Sequence, residues 1–196
     1  TFHAAGHQVW VTAVDEAALS ADTGAREKTT ADASNETQMK GVFDAIQSAW
    51  GGLDVVCANA GIAGPTAKVE DVALSDWQTC VSVNLEGAFL AAKLAAPIFK
   101  EQGSGALVFT SSTAGINGFP SRAPYSAAKW GVIGLMKTVA MELGPFGIRA
   151  NAICPGPVEG PRIEGVLERE AAGKGMTRDA LYEKYAAAMS MRTFVT

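Results

Sequence analysis

The sequence predicts an α/β fold built on a doubly wound parallel sheet. Short β-rich apolar runs alternate with amphipathic stretches of helical length, the pattern of strands joined by helical crossovers. The apolar runs end in small polar or turn-forming residues. Asp54–Ala58 runs into Asn59-Ala60-Gly61, Ala106–Thr110 into Ser111-Ser112, and Ile148–Ile153 into Pro155-Gly156-Pro157. Finally, 196 residues, nearly half of them hydrophobic, suffice for one core and not for two ordinary domains. Residues 1–196 are therefore expected to form a single domain.

The elements follow in order. Thr1 to Ala5 reads as the tail of a helix. Val9–Val14 is a short strand, Glu16–Ala25 a short helix, and Lys28–Ala31 a weak strand ending at Asp32. From Asn35 to Trp50, Met39, Val42, Phe43 and Ile46 recur at helical spacing, closed by Gly51-Gly52. After the Asp54–Ala58 strand, Ser75 can cap a helix carrying Trp77, Val81 and Val83. A longer helix is expected from Glu86 to Lys100, then the Ala106–Thr110 strand, a helix over Pro124–Leu143, and the Ile148–Ile153 strand. Beyond Pro161 the pattern changes to two amphipathic helices. Ile163, Val166 and Leu167 mark the first and Leu181, Tyr182, Tyr185 and Met189 the second, with Gly173-Lys174-Gly175 between them. No strand signal occurs there, so residues 161–192 are expected to be an excursion that covers a site.

Composition excludes several classes. The 16 basic and 20 acidic residues give a net charge of -4 and form no basic stripe, which argues against nucleic acid. No uninterrupted apolar run approaches the ~18 residues of a membrane span, and no leader segment is evident at the start. Cys57, Cys80 and Cys154 lack metal or disulfide spacing. They read as buried free thiols of a cytoplasmic protein, and no metal site is expected. His3 and His7 read as surface residues.

The chemistry is carried by Tyr125-Ser-Ala-Ala-Lys129, which places a phenol and an amine on one helix face. Ser112 lies at the end of the preceding strand, and strand carboxyl ends open onto the ligand crevice of a parallel sheet. A hydroxyl, a phenol and an ammonium brought together suit proton transfer at a carbonyl or alcohol oxygen. A free phenol ionises near pH 10, too high for a base at neutrality. An ammonium at ~4 Å favours the phenolate by roughly 4 kcal/mol at an effective dielectric near 20. Taken singly, each neighbouring signal has a plainer reading: Asn59 and Gly61 as a strand-end turn, Asp32 as a helix cap, Asn84 as a polar interruption, Pro155-Gly156 as a turn. What distinguishes them is that Asn59-Ala60-Gly61, Asn84, Ser112, Tyr125–Lys129 and Asn151–Gly156 occur in this order on one chain.

On these motifs, from about Gly6 to Pro161, the chain resembles the short-chain dehydrogenase/reductase family. The resemblance implies a Rossmann-type fold and an NAD(P)-dependent oxidoreductase acting on a secondary alcohol or ketone of a small molecule. It implies Asn84, Ser112, Tyr125 and Lys129 as the catalytic four, with Tyr125 as general acid/base, Ser112 holding the substrate oxygen and Asn84 holding a water that links Lys129 to solvent. For the cofactor, Lys129 with Tyr125 would meet the nicotinamide ribose. Asn59, Ala60 and Gly61 would pass the adenine-side ribose, Asp32 and Ala33 would read the adenine edge, and Pro155, Gly156 and Val158 would flank the nicotinamide. The family also implies a homo-oligomer, tetramer or dimer, and the apolar composition of the Glu86–Lys100 and Pro124–Leu143 helices agrees with this.

Three departures stand out. The family's opening strand with its glycine-rich turn, and its last strand, have no counterpart here. The chain thus reads as a fragment of one near 250 residues, and its flanking strands lack a ladder partner. At the cofactor-choice position stands Ala13, with Asp15 two residues on; its charge would oppose a 2′-phosphate, which favours NAD, with NADP the alternative. Gly160 stands where many members have a threonine that bonds the carboxamide. The covering segment also gathers Arg162, Arg169, Lys174 and Arg178 among Glu164, Glu168, Glu170 and Asp179. These can pair on a solvated helix face, or Arg162 can project into the crevice and bind a substrate carboxylate. The competing readings are a catalytically idle relative that binds nucleotide or a partner, which the intact Asn84, Ser112, Tyr125 and Lys129 oppose, and a serine hydrolase, which lacks a G-x-S-x-G elbow and a placed histidine.

Overall fold

The computed structural model describes residues 2–22 and 24–195. The strands are β1 (Trp10–Ala13), β2 (Glu27–Thr30), β3 (Val55–Ala58), β4 (Gly105–Thr110) and β5 (Ile148–Ile153). The helices are α1 (Glu16–Ala21), α2 (Glu36–Trp50), α3 (Leu74–Val81), α4 (Gly87–Gln102), α5 (Ala123–Leu143), α6 (Pro161–Lys174) and α7 (Arg178–Ala188). The expected α/β alternation is present throughout. Met39, Val42, Phe43 and Ile46 are all buried on α2, as their spacing requires, and the Asn35 side chain caps the helix by accepting from Gln38 N at 3.0 Å. Most element ends differ from expectation by a residue or two, and two boundaries differ for a visible reason. α1 stops at Ala21 because Asp22 turns extended. Ser75 lies inside α3 rather than capping it; its carbonyl takes the Thr79 hydroxyl, and Ala73 precedes the helix without a side-chain cap. The expected helical tail at the start is a 3₁₀ turn over His3–Ala5, while Thr1 lies outside the described residues.

The strands form two parallel sheets, not one. β1 pairs with β2 in the register Trp10↔Glu27, and β3-β4-β5 pair through Val55↔Ala106 and Gly105↔Ile148. Among the described residues β1 and β3 each pair along one edge only. Both sheets still share one apolar cluster. Trp10 and Ala31 meet Leu107, Phe109 and Ala150 there, under Phe43 of α2, Phe99 of α4 and Val132 of α5. The edge position of β3 corrects the reading of three buried thiols. Cys80 is buried and Cys154 half-buried, but Cys57 is exposed beside the equally exposed Val55. All three are free, and His3 and His7 are exposed as expected.

A π turn over Ser82–Glu86 joins α3 to α4. The resulting helical rod, Leu74–Gln102, is long and apolar enough by length and composition to cross a membrane, although charged and polar residues interrupt its apolar run. Leu90, Ala92, Ala95 and Phe99 of this rod are buried in the protein's own interior. α6 and α7 pack on each other through Leu167, Ala171, Leu181 and Ala186 with Phe194, forming a second apolar cluster. The chain then returns to the main body. Val158 and Val195 form a parallel bridge, with Glu159 N donating to Val195 O at 2.8 Å and Val195 N to Pro157 O at 3.1 Å. This strand-like contact lies in a region where the sequence carries no strand signal, because a single bridge needs no run of β-formers.

Candidate active site

Pairing between β4 and β5 continues past the strand ends and builds the floor of a crevice. Ser111 N donates to Ile153 O and Thr113 N to Pro155 O, each at 2.9 Å. Ser112 therefore lies beside Pro155-Gly156. Its Oγ accepts from Ala114 N at 3.2 Å and so caps the short turn Thr113–Gly115. Ser111 Oγ donates to Lys129 O at 2.8 Å, which locks α5 against the end of β4. That contact sets the helix face on which Tyr125 and Lys129 stand one turn apart.

Lys129 is 2% exposed. Its Nζ donates to Thr110 O at 2.7 Å and lies 5.7 Å from the Tyr125 ring centroid. Burial pushes its ammonium down to about 8, the Arg162 guanidinium adds to the effect, and Cys80 opposes it. Asn84 lies in the π turn, a backbone irregularity that recurs at functional sites. It is buried, its Nδ2 donates to Cys80 O at 2.9 Å and Ile62 O at 3.1 Å, and its Oδ1 has no partner among the described residues. Gly61 explains how these two side chains approach the end of β3. A β carbon there would lie 2.6 Å from Asn84 Oδ1 and 3.4 Å from Lys129 Nζ. Asn84 and Lys129 thus converge on one point that only a glycine leaves open.

Ser112, Tyr125, Asn59, Pro155, Gly156 and Val158 line the crevice, with Lys129 and Asn84 behind it. Asn59 Oδ1 accepts from Thr110 Oγ1 at 2.9 Å and ties the ends of β3 and β4, and Ala60 is exposed next to it. Asp32 and Ala33 are not part of this lining; they follow β2. Asp32 Oδ1 accepts from Ser34 N at 2.9 Å and Ser34 Oγ at 2.7 Å, so it forms a turn rather than a helix cap. Ala33 packs against Gly87 at the start of α4. Asp15 caps α1, accepting from Ala18 N at 3.0 Å. Gly160 has φ 140, a conformation that a threonine would adopt only with strain, which accounts for the glycine at that position.

The charges of α6 and α7 divide between the two readings. Arg178 pairs with Glu164 at 2.6 Å and Asp179 at 3.1 Å, as on a solvated face, whereas Lys174 pairs with Glu170, which is buried. Arg162 instead lines the crevice, its guanidinium carbon 5.9 Å from the Tyr125 ring centroid. Of the lining residues that carried no site reading in the sequence, Arg122 and Tyr185 are the two largest polar ones. Arg122, 6% exposed, places its guanidinium carbon 4.9 Å from the same centroid; its position one helical step before Tyr125 is the available signal. Tyr185 stacks on Phe119 and donates to Glu170 Oε2 at 2.6 Å; burial and that carboxylate push its hydroxyl upward.

A family model described as enoyl-(acyl carrier protein) reductase matches residues 1–192. The chain is similar to trans-4-hydroxycyclohexanecarboxylate dehydrogenase of Sinomonas cyclohexanicum, 45% identical over 131 residues, covering 67% of this chain and 49% of that protein. Among solved structures it is similar to NAD+-bound xylitol dehydrogenase (TM-score 0.92, 26% identity, 96% of this chain and 77% of that one). It is likewise similar to a variant of actinorhodin polyketide ketoreductase with NADPH (TM-score 0.93, 29% identity, 100% of this chain and 78% of that one). The chain spans about half the length of the curated relatives it matches. With its parallel sheets, its Tyr125–Lys129 pair and a family match along nearly its whole length, the chain belongs to the short-chain dehydrogenase/reductase family.

Proposed function

We propose that this chain carries the catalytic crevice of an NAD(P)-dependent oxidoreductase that interconverts a secondary alcohol and a ketone on a small molecule. The observation that carries the reading is the convergence of Ser112 and Tyr125 on one crevice with Lys129 and Asn84 directly behind. A nicotinamide cofactor, when bound, supplies the acceptor or donor of the hydride. The residues fit such a group. Lys129 has three ammonium protons and, among the described residues, one hydrogen-bond acceptor, Thr110 O, which leaves donors for ribose hydroxyls. Pro155, Gly156 and Val158 would flank the nicotinamide, Asn59, Ala60 and Gly61 the adenine-side ribose, and Asp32 with Ala33 the adenine edge.

Ser112 Oγ holds the substrate oxygen. Tyr125 Oη gives that oxygen a proton in reduction and takes it back in oxidation. The Lys129 ammonium favours the phenolate, and the unpartnered Asn84 Oδ1 accepts from a water that relays protons from Lys129. Asp15, through its charge, favours NAD over NADP; the similar structures hold one of each. α6 and α7, within residues 161–192, act as the substrate lid inside a single domain. Exposed Phe89 on α4 and Trp130 on α5 support a homo-oligomer, tetramer or dimer, checked by sedimentation. Free thiols accord with a cytoplasmic setting. The related hydroxycyclohexanecarboxylate dehydrogenase points to cyclic alcohols as first substrates. The test is a cofactor-reduction screen of purified protein against secondary alcohols, with NAD and NADP in parallel. Turnover that disappears in Tyr125→Phe is expected; cofactor binding without any Tyr125-dependent turnover would replace the reading with that of an idle nucleotide binder.

A further inference from the structure

Three cations surround one phenol. Arg122, Lys129 and Arg162 lie 4.9, 5.7 and 5.9 Å from the Tyr125 ring centroid. Proton transfer at Tyr125 uses Lys129 and leaves the two arginines unexplained.

Arg122 is expensive to keep. It is 6% exposed, and among the described residues it forms no salt bridge. Nη2 donates to Ala63 O at 2.7 Å, while its buried Nε has no partner among the described residues. The carboxylate that acts on it, Glu170, is already held by Lys174 and by Tyr185 Oη at 2.6 Å. Arg122 also precedes the first turn of a 21-residue helix, where the macrodipole disfavours a cation. Ser121 before it holds φ 63, a left-handed conformation that non-glycine residues rarely adopt. A buried, unpaired guanidinium in a strained setting is retained where a ligand offsets its cost. Arg162 reaches the same crevice from α6, also without a salt bridge among the described residues. Phe119, Ile163, Val166 and Met189 make the neighbouring wall apolar.

We propose that Arg122 and Arg162 form an anion subsite beside Ser112 and Tyr125, so that the alcohol or ketone this chain acts on carries a carboxylate. The inference rests on the oxidoreductase reading above and names its substrate class. Planar guanidinium edges match a carboxylate bidentately, and the apolar wall takes the hydrocarbon body between that group and the reacting carbon.

Two measurements test it. First, purified protein is assayed with a hydroxycarboxylic acid and its methyl ester, in the wild type, Arg162→Ala and Arg122→Lys. The acid-to-ester ratio of kcat/KM is expected to fall about thirtyfold in each variant. A loss shared equally by acid and ester, a loss confined to a matched phosphate ester, or a loss traced to weaker cofactor binding would overturn the subsite. Second, calorimetric titration with cyclohexanecarboxylate alone reads the subsite without turnover. Binding to the wild type and not to Arg162→Ala supports it, even if no alcohol is oxidised and the oxidoreductase reading falls. Equal binding to both, or none to the wild type, overturns it. Arg162 is exposed, so its variant keeps the test decisive if Arg122→Lys does not fold.

Discussion

Replacing Lys129 with methionine is expected to stabilise the chain at neutral pH. Lys129 is 2% exposed, with Thr110 O as its single hydrogen-bond acceptor among the described residues. Burial chiefly, and then Arg162, hold its ammonium at about 8, against an ordinary 10.5. At about 1.4 kcal/mol per pH unit, the folded chain carries roughly 3 kcal/mol of cost for keeping that proton at pH 7. The unfolded chain binds the proton more tightly, so the group's contribution to stability rises with pH between the two values. The penalty is complete below about pH 8 and gone above about 10.5. Methionine is similar in length and cannot charge, so the variant escapes the penalty; the lost bond to Thr110 O returns some of the gain, about 1–2 kcal/mol. Paired urea unfolding of wild type and variant at pH 7, 8, 9 and 10 checks this, because titrating groups not coupled to Lys129 cancel in the difference. The variant's relative stability should decline by about 2–3 kcal/mol from pH 7 to pH 10. A difference that stays constant with pH, or grows toward pH 10, would refute the assignment of a strained ammonium. The same replacement should abolish turnover, since stability gained at such a site is lost from function.

Three further outcomes are expected. Tyr125→Phe should retain cofactor binding by fluorescence titration while losing turnover, and a rate above about a few per cent of wild type would exclude Tyr125 as the proton carrier. In Gly115→Ala the new β carbon would fall 2.3 Å from Ser111 Oγ and 2.7 Å from Lys129 O. Thermal or urea unfolding should show a loss of about 1–3 kcal/mol, together with weaker cofactor binding as α5 shifts from β4. Asp15→Ala removes the cap on α1 and should cost about 1 kcal/mol. It should also move the NADP-to-NAD ratio of kcat/KM upward; an unchanged ratio would mean that Asp15 caps a helix and nothing more.

Much of this protein was legible along the chain because its signals are local. Met39, Val42, Phe43 and Ile46 recur with the helical period, so their burial on α2 follows from spacing alone. Tyr125 and Lys129 share a face because four residues make about one turn, and Ser112 ends a strand whose apolar run is unmistakable. Other features depend on what packs against what. The motif order anticipates that the flanking strands lack a ladder partner, but the local pattern does not say that this leaves Cys57 of β3 exposed. Asn84 reads as an interruption of a helix; only the π turn and the Gly61 approach bring its amide to Lys129. Arg178 and Arg162 are both cations near acids, and the sequence leaves Arg162 open to two readings, a paired surface charge or a crevice residue. In the folded chain Arg178 finds Glu164 across the α6–α7 contact, while Arg162 faces Tyr125. Periodicity and motif order determine which elements form and which side chains share a face. Whether a given charge meets a counter-charge, water or a ligand is decided between elements distant in sequence, because Coulombic and desolvation energies depend on distance and burial, which only the tertiary structure sets.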